Sequence, residues 1–222
     1  MTGTVLAPFT TLAAVALPYD SVNVDTDQII PARFLKFPRA GGYGKFLFHD
    51  LRFADDGSLV PTFALNREPY RGARILVANE NFGCGSSREG AVYALVDAGF
   101  RAVIAPSFGD IFFSNCLKNG VVPVRLPLES CAKLRATLKD MPGSRMTVDL
   151  VRQIVLAPEG TAHPFALDEF WRALLLQGLD DLGLTLELKA EIEAFERAYA
   201  IARPWVVAGG LWLRLEGVEN FA

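Results

Sequence analysis

The densest chemical signal in this sequence is Asn79-Glu80-Asn81-Phe82-Gly83-Cys84-Gly85-Ser86-Ser87-Arg88-Glu89. It stands between a short apolar run and a helical pattern, where α/β folds gather ligands. Gly83 and Gly85 allow close backbone approach. Ser86 to Glu89 spells S-x-x-E, the capping box in which a hydroxyl and a carboxylate satisfy helix-end N–H groups. A helix end of this kind offers free donors and a positive dipole end, so an anion is the expected guest. Arg88 strengthens the expectation, because the dipole disfavours a cation in the first turn and a bidentate partner such as a carboxylate would compensate it. On spacing alone, Ser86 is more often a plain N-cap than a functional residue. A dinucleotide fingerprint needs a third Gly where Arg88 stands, a P-loop needs Gly-Lys-Ser/Thr, and a hydrolase elbow needs G-x-S-x-G; all three patterns are absent here.

A second polar cluster is Asn23-Val24-Asp25-Thr26-Asp27-Gln28, followed by Ile29-Ile30-Pro31-Ala32-Arg33-Phe34-Leu35-Lys36. Asp25 and Asp27 could bind a metal, orient a base or close an Asx turn. Arg33, Lys36 and Arg39 add three cations beside Gly41, Gly42 and Gly44. A charge run is ordinarily a solvated face, and this one matters only if its loop folds over the cleft that holds Arg88.

The elements that must position these residues are legible in the apolar pattern. Ile75-Leu76-Val77-Ala78 reads as a strand, Ser87 to Ala98 as a helix closed by Gly99, and Ala102-Val103-Ile104-Ala105 as a second strand. A further helix after Pro106-Ser107 runs through Ile111, Phe112 and Leu117 to Lys118-Asn119-Gly120, with a cation in its last turn and Gly just beyond. Val121 to Val124 returns as a strand. Alternating helices and short buried strands predict an α/β layer structure with a partly parallel sheet. Glu129 to Lys139 is expected as a helix and Met146 to Leu156 as paired strands. Leu186 to Ala200 is expected as one amphipathic docking helix presenting Leu188, Ile192, Phe195 and Tyr199. Phe170 and Trp171 are read as packing residues, and Cys116 and Cys131 as small core residues.

Composition bounds the function. With 222 residues, 51% hydrophobic and 21% charged, the chain is an ordinary globule. Its 22 Lys+Arg against 25 Asp+Glu, net −3, lack the basic surplus of a nucleic-acid binder. The apolar stretch Trp205 to Leu213 is far short of the ~20 residues that cross a bilayer. The N-terminus has no signal-peptide pattern, so a cytoplasmic location is expected. Three widely spaced cysteines, Cys84, Cys116 and Cys131, read as reduced, and with His49 and His163 they form no zinc pattern. No cofactor or metal is therefore assigned to this chain.

Asn23-Val24-Asp25-Thr26-Asp27-Gln28-Ile29-Ile30-Pro31, together with Asn81-Phe82-Gly83-Cys84-Gly85-Ser86-Ser87-Arg88-Glu89, strongly resembles the small subunit of 3-isopropylmalate dehydratase, in the aconitase family. The likeness extends through Lys118-Asn119-Gly120 and Gly178 to Thr185, and ends near Arg203-Pro204-Trp205. It implies a swivelling domain of β/β/α layers over residues 1–205, with 206–222 as a C-terminal extension. It also implies a separate large subunit that bears a [4Fe–4S] cluster, whose iron acts as a Lewis acid on the departing hydroxyl. The implied reaction isomerises 2-isopropylmalate and 3-isopropylmalate by removing water and adding it back the other way round, a step of leucine biosynthesis.

By the same resemblance, Ser86 is the base that takes a proton beside a carboxylate, Ser87 and Arg88 hold carboxylate oxygens, and Asp27 orients a neighbouring charged group. Lys36 lies in the loop that reads the substrate's variable side chain, with Arg33 and Arg39 as weaker candidates. The chain departs from the family where His commonly follows Arg-Glu, because it has Gly90. That change is expected to weaken the helix start, to remove a titratable group, and to put the substrate in question more than the reaction class. The tail Val206 to Ala222 is the other departure. Homoaconitate, citraconate or a methylated malate keeps the same chemistry with another pocket, and a catalytically silent assembly module keeps the fold alone.

Overall fold

Short apolar runs become strands and the glycine-closed patterns become helices. The computed structural model describes residues 6–203 and Trp205; the expectation for Val206 to Ala222 lies outside them. Chain contacts divide the protein into one unit running to Asp180 and a second beginning at Asp181.

The first unit is built on a seven-stranded sheet. Its strands are β1 (Thr11–Pro18), β2 (Ile75–Val77), β3 (Ala102–Ala105), β4 (Val122–Arg125), β5 (Arg145–Asp149), β6 (Ile154–Leu156) and β7 (Ala162–Pro164). The order is β4-β3-β2-β1-β5-β6-β7. β1 to β4 pair in parallel, and β5, β6 and β7 continue from β1 antiparallel. The expected α/β class, the partly parallel sheet and the paired strands after Met146 are all present.

Alternation along each strand divides the core between the sheet's faces. Leu17, Leu76 and Val103 join α3 (Glu89–Asp97) and α4 (Asp110–Lys118) in one apolar cluster. Ile75, Val77, Ala102, Ile104, Val122 and Val124 join α5 (Leu128–Asp140) and α6 (Glu169–Gln177) in the other. Cys116 and Cys131 are buried in α4 and α5, and burial raises both thiols, Cys131 to about 11. Phe170 departs from expectation. Successive helix positions point about 100° apart, so Trp171 packs on the second cluster while Phe170 stays 51% exposed.

Helix ends follow their glycines. Gly99 (φ 95°) closes α3 in a Schellman motif, in which the Phe100 N–H donates to Leu95 O (2.9 Å) and the Gly99 N–H to Val96 O (2.9 Å). Gly120 (φ 72°) ends α4 in the same way, with the Val121 N–H donating to Cys116 O at 3.0 Å. Each return is tight enough to put the next strand directly beside its predecessor.

The second unit corrects one expectation. The helical pattern expected from Leu186 to Ala200 is split, into α7 (Asp181–Glu187) and α8 (Lys189–Ala202). Leu188 breaks it, with ψ at 10° rather than a helical value. Leu188, Ile192 and Phe195 are exposed, and Phe195 pairs with Tyr199 of its own helix at 5.4 Å between ring centroids.

One buried cation ties α5 to the end of β2. The Arg135 side chain is 7% exposed; its guanidinium donates to Ala78 O at 2.7 Å and to Asp20 Oδ1 at 3.2 Å. Ala78 opens the loop that carries Ser86. Arg135→Met keeps most of the apolar contact but leaves the Ala78 carbonyl without this donor, so urea denaturation should show about 1–3 kcal/mol of lost stability.

Candidate active site

Three loops leave the carboxyl ends of β1, β2 and β3 side by side and continue the parallel order beyond the sheet. Asp25 bridges Cys84, and Phe82 bridges Phe108. The Gly83 N–H donates to Val24 O (2.7 Å), the Thr26 N–H to Cys84 O (3.0 Å), the Phe82 N–H to Ser107 O (3.1 Å) and the Gly109 N–H to Phe82 O (3.0 Å). The middle loop is thus held from both sides by main-chain bonds.

This packing dictates the glycines. Gly83 has φ 74°, and a Cβ there would fall 2.2 Å from the Phe112 ring. A Cβ on Gly109 would fall 2.5 Å from Gly83 O. No side chain fits at either place.

The expected capping box does not form. The N-cap of α3 is Arg88, with extended backbone and no side-chain cap bond, so the helix begins at Glu89. The flanking bridges hold the chain as far as Cys84, Gly85 then bends it with φ 85°, and Ser86 O is already engaged by the buried Thr26, whose hydroxyl donates to it at 2.9 Å. Glu89 turns instead to Asn119, whose amide donates to its carboxylate at 2.9 Å. The Ser86 and Ser87 hydroxyls are consequently exposed and have no hydrogen-bond partner among the described residues. Nor do the N–H groups of Gly85, Ser86 and Ser87 meet an acceptor among them. Ser86 lines a recess of about 240 Å³ with Gly83, Gly85, Gly109, Asp110, Ile111 and Phe112.

The two polar motifs, 61 positions apart in sequence, meet through Arg88 and Asp27, which form a charge-assisted hydrogen bond. The same Asp27 Oδ1 accepts the Ala32 N–H at 2.7 Å. That bond foremost, and then Arg88, hold the Asp27 carboxyl below the ordinary 3.8. A lowered native pKa favours the ionised form, so the pair is complete above the ordinary carboxylate range and dissolves only as acid takes the pH through the lower native value. Asp25 does different work, accepting the Gln28 N–H at 2.7 Å as N-cap of α1 (Thr26–Ile29). Asp25 therefore caps α1, while Asp27 pairs with Arg88.

The loop cations are spread. Arg33 is bound to Asp50, and its guanidinium lies 4.5 Å from the Phe34 ring centroid. Arg39 stacks on Tyr93 at 3.4 Å and approaches Asp97 at 3.5 Å. Lys36 is exposed, 5.7 Å from the Phe37 ring centroid. Gly90 lies in the first turn of α3 as expected, and it is also buried, with a Cβ there falling 2.5 Å from the Leu35 Cδ2 methyl. Asp110 and Ile111, which line the recess, were missed by sequence reasoning. The available signal was the acidic first turn of α4, facing a neighbouring loop end. Among the described residues no group of three His, Cys, Asp or Glu side chains could hold a metal.

Comparison with known proteins agrees with this geometry. The aconitase C-terminal domain model matches residues 6–129 and LeuD_N matches 132–169. The model of the C-terminal domain of the 3-isopropylmalate dehydratase small subunit matches 181–208. The 3-isopropylmalate dehydratase small subunit of Granulibacter bethesdensis is 53% identical over 89% of this chain and 94% of its own length. That of Gluconobacter oxydans is 52% identical over 89% and 94%. The chain belongs to the 3-isopropylmalate dehydratase small subunit family. A solved structure of 3-isopropylmalate dehydratase from Methanocaldococcus jannaschii superposes with a TM-score of 0.60 at 25% identity, covering 84% of this chain and 99% of that one. Membership makes the chain one component of an aconitase-family hydro-lyase, and a small subunit presupposes a large one. Among the described residues no helix is long and apolar enough to cross a membrane.

For this family member the loop geometry is directly testable. Gly83→Ala should cost about 2–3 kcal/mol, from positive φ and overpacking together. In a Phe112→Ala background, which carries its own cavity cost because Phe112 is buried, the same Gly83→Ala change should cost less, keeping only the φ penalty, a difference read from thermal melts of all four proteins of the cycle.

Proposed function

We propose that this chain, docked on a large subunit that bears a [4Fe–4S] cluster, interconverts 2-isopropylmalate and 3-isopropylmalate, with Ser86 as the base and Ser87 and Arg88 as the carboxylate holders. The observation that carries the reading is the delayed start of α3. Because the helix begins at Glu89, Ser86 and Ser87 stand outside it with hydroxyls and N–H groups uncommitted to other described residues.

A serine hydroxyl is a weak acid, so its alkoxide needs a positive setting. The donors of Gly85 to Ser87, the N-terminal end of the nine-residue α3 and Arg88 supply one. The chemistry asked of this chain is limited to its own atoms. Arg88 and Ser87 hold a substrate carboxylate, which orients the adjacent C–H bond toward Ser86 Oγ. Ser86 Oγ takes that proton, the C–H electrons form the new double bond, and the proton returns on rehydration. The cluster on the large subunit supplies Lewis acidity for the hydroxyl that leaves and returns. The recess beside Ser86 holds the reacting part of a small dicarboxylate and limits water around the base.

Asp27 prevents Arg88 from swinging away, since its carboxylate is itself pinned by the Ala32 N–H. The pair leaves part of the guanidinium for the substrate, whose second carboxylate then falls to the partner or to Lys36. The substrate's side chain is read by the loop from Phe34 to Phe48. Two nearby cations are already matched, Arg33, just before this loop, by Asp50 and Arg39, within it, by Asp97. Phe34 stacks on Phe46 with centroids 4.3 Å apart, and Phe37 on Phe46 at 5.5 Å. An aromatic stack with two neutralised arginines favours an isopropyl group over the longer acidic tail of homoaconitate.

The test is anaerobic turnover of 2-isopropylmalate by the chain co-expressed with its large subunit and iron-loaded. Ser86→Ala should lower kcat by roughly 10²–10⁴-fold while the complex elutes unchanged on gel filtration. Equal turnover in the variant would remove Ser86 from the mechanism. Arg88→Lys, which keeps the charge but loses the planar fork, should act chiefly by raising KM.

A further inference from the structure

Leu35 and Gly90 meet where the loop after α1 crosses the first turn of α3. Gly90 is buried, and a Cβ there would lie 2.5 Å from Leu35 Cδ2 and 3.6 Å from the Tyr43 ring. Position 90 is thus a notch that Leu35 fills. The loop around Leu35 is braced on its far side. The Tyr43 hydroxyl donates to Phe37 O at 2.8 Å, and the Tyr43 N–H donates to the Asp97 carboxylate, at the other end of α3, at 2.7 Å. On its near side the loop runs back to the site: the Leu35 N–H donates to Ala32 O at 3.0 Å, the Ala32 N–H donates to Asp27 Oδ1, and that oxygen holds Arg88. Arg88 lies two residues before Gly90, so these contacts close a ring.

We propose that the Leu35–Gly90 contact is the positioning device of Arg88: Leu35 seated in the notch fixes the turn Ala32–Phe34, whose first N–H shares Asp27 Oδ1 with the guanidinium and so sets its direction. The proposal deepens the reading of Arg88 as carboxylate holder and rests on it. Helix propensity gives the opposite expectation for Gly90, since Ala is the better helix former. A methyl group there must push the flexible end of the half-buried Leu35 side chain aside, so the contact predicts a displaced Leu35, with little loss of stability, where propensity predicts improvement alone. The lowered pKa of Asp27, caused first by the Ala32 N–H and then by Arg88, gives a local reporter of the ring that needs no substrate.

Gly90→Ala, Leu35→Ala and the double variant are compared in the full chain, alone and in complex with the large subunit. Gly90→Ala should raise KM for 2-isopropylmalate by about tenfold with kcat changed less than about twofold, because the base is untouched. The double variant, in which one methyl group occupies space vacated by the leucine, should lie closer to wild type than either single change, a strongly non-additive cycle. In the isolated full chain, carbon-detected NMR titration of the Asp27 carboxyl should show its pKa climbing toward 3.8 in Gly90→Ala and returning in the double variant. If Gly90→Ala does not fold, Leu35→Ala alone must move KM and the Asp27 titration in the same directions. Folded single variants with unchanged KM and unchanged Asp27 titration would overturn the proposal, as would additive effects. Absence of turnover by the wild-type complex would instead reject the isopropylmalate reading, leaving the titration to judge the ring by itself.

Discussion

Everything at this site depends on a backbone constraint: the loop after β2 is pinned between the loops after β1 and β3 and turns through positive φ at Asn81, Gly83 and Gly85. Bonds from Gly83 and Thr26 on one side and from Phe82 and Gly109 on the other hold it there. A loop so held cannot turn helical at Ser86. The serines that would ordinarily cap a helix are carried past the point of capping and left with uncommitted hydroxyls. Glycine at 83 and 109 follows from the same constraint, since an aromatic ring and a carbonyl occupy the positions a methyl group would need.

Electrostatics builds on that frame. A cation before the first turn of a helix is unfavourable by itself, yet Arg88 is held there by Asp27, which Ala32 holds in turn. Arg88 is therefore oriented by its own chain before any ligand arrives, which is what the proposed roles of carboxylate holder and alkoxide support ask of it. The other loop cations serve structure more than recognition. Arg33 and Arg39 face carboxylates and aromatic rings, and Arg39 helps to keep the loop closed on α3 through Tyr93 and Asp97.

The division of labour with a partner follows from the chemistry present. Cys116 and Cys131 are buried in separate helices, and burial raises both thiols away from the thiolate form that iron would need. Cys84 acts through its backbone, accepting from Thr26 and donating to Val24 at 3.2 Å. In the proposed reading this chain offers proton transfer and carboxylate binding at the carboxyl ends of β1, β2 and β3, and its relatives' name as small subunits implies a large subunit to partner it.

The sequence by itself determined the alternation of strands and helices from Ile75 onward, the glycine stops at Gly99 and Gly120, and the two motifs that carry the chemistry. Those are local facts: apolar period, left-handed caps and side-chain types are written within a few residues of where they act. Tertiary structure decided the rest. The S-x-x-E pattern looked like a capping box because capping is read within one turn, whereas the contacts that prevent it come from Thr26 and Ser107. Propensity reads Gly90 only as a helix weakness and knows nothing of its contact with Leu35, which reaches it from 55 positions away. The meeting of Asp27 and Arg88 was beyond local reading for the same reason: two side chains 61 positions apart become partners only when parallel pairing of β1 with β2 lays their loops side by side.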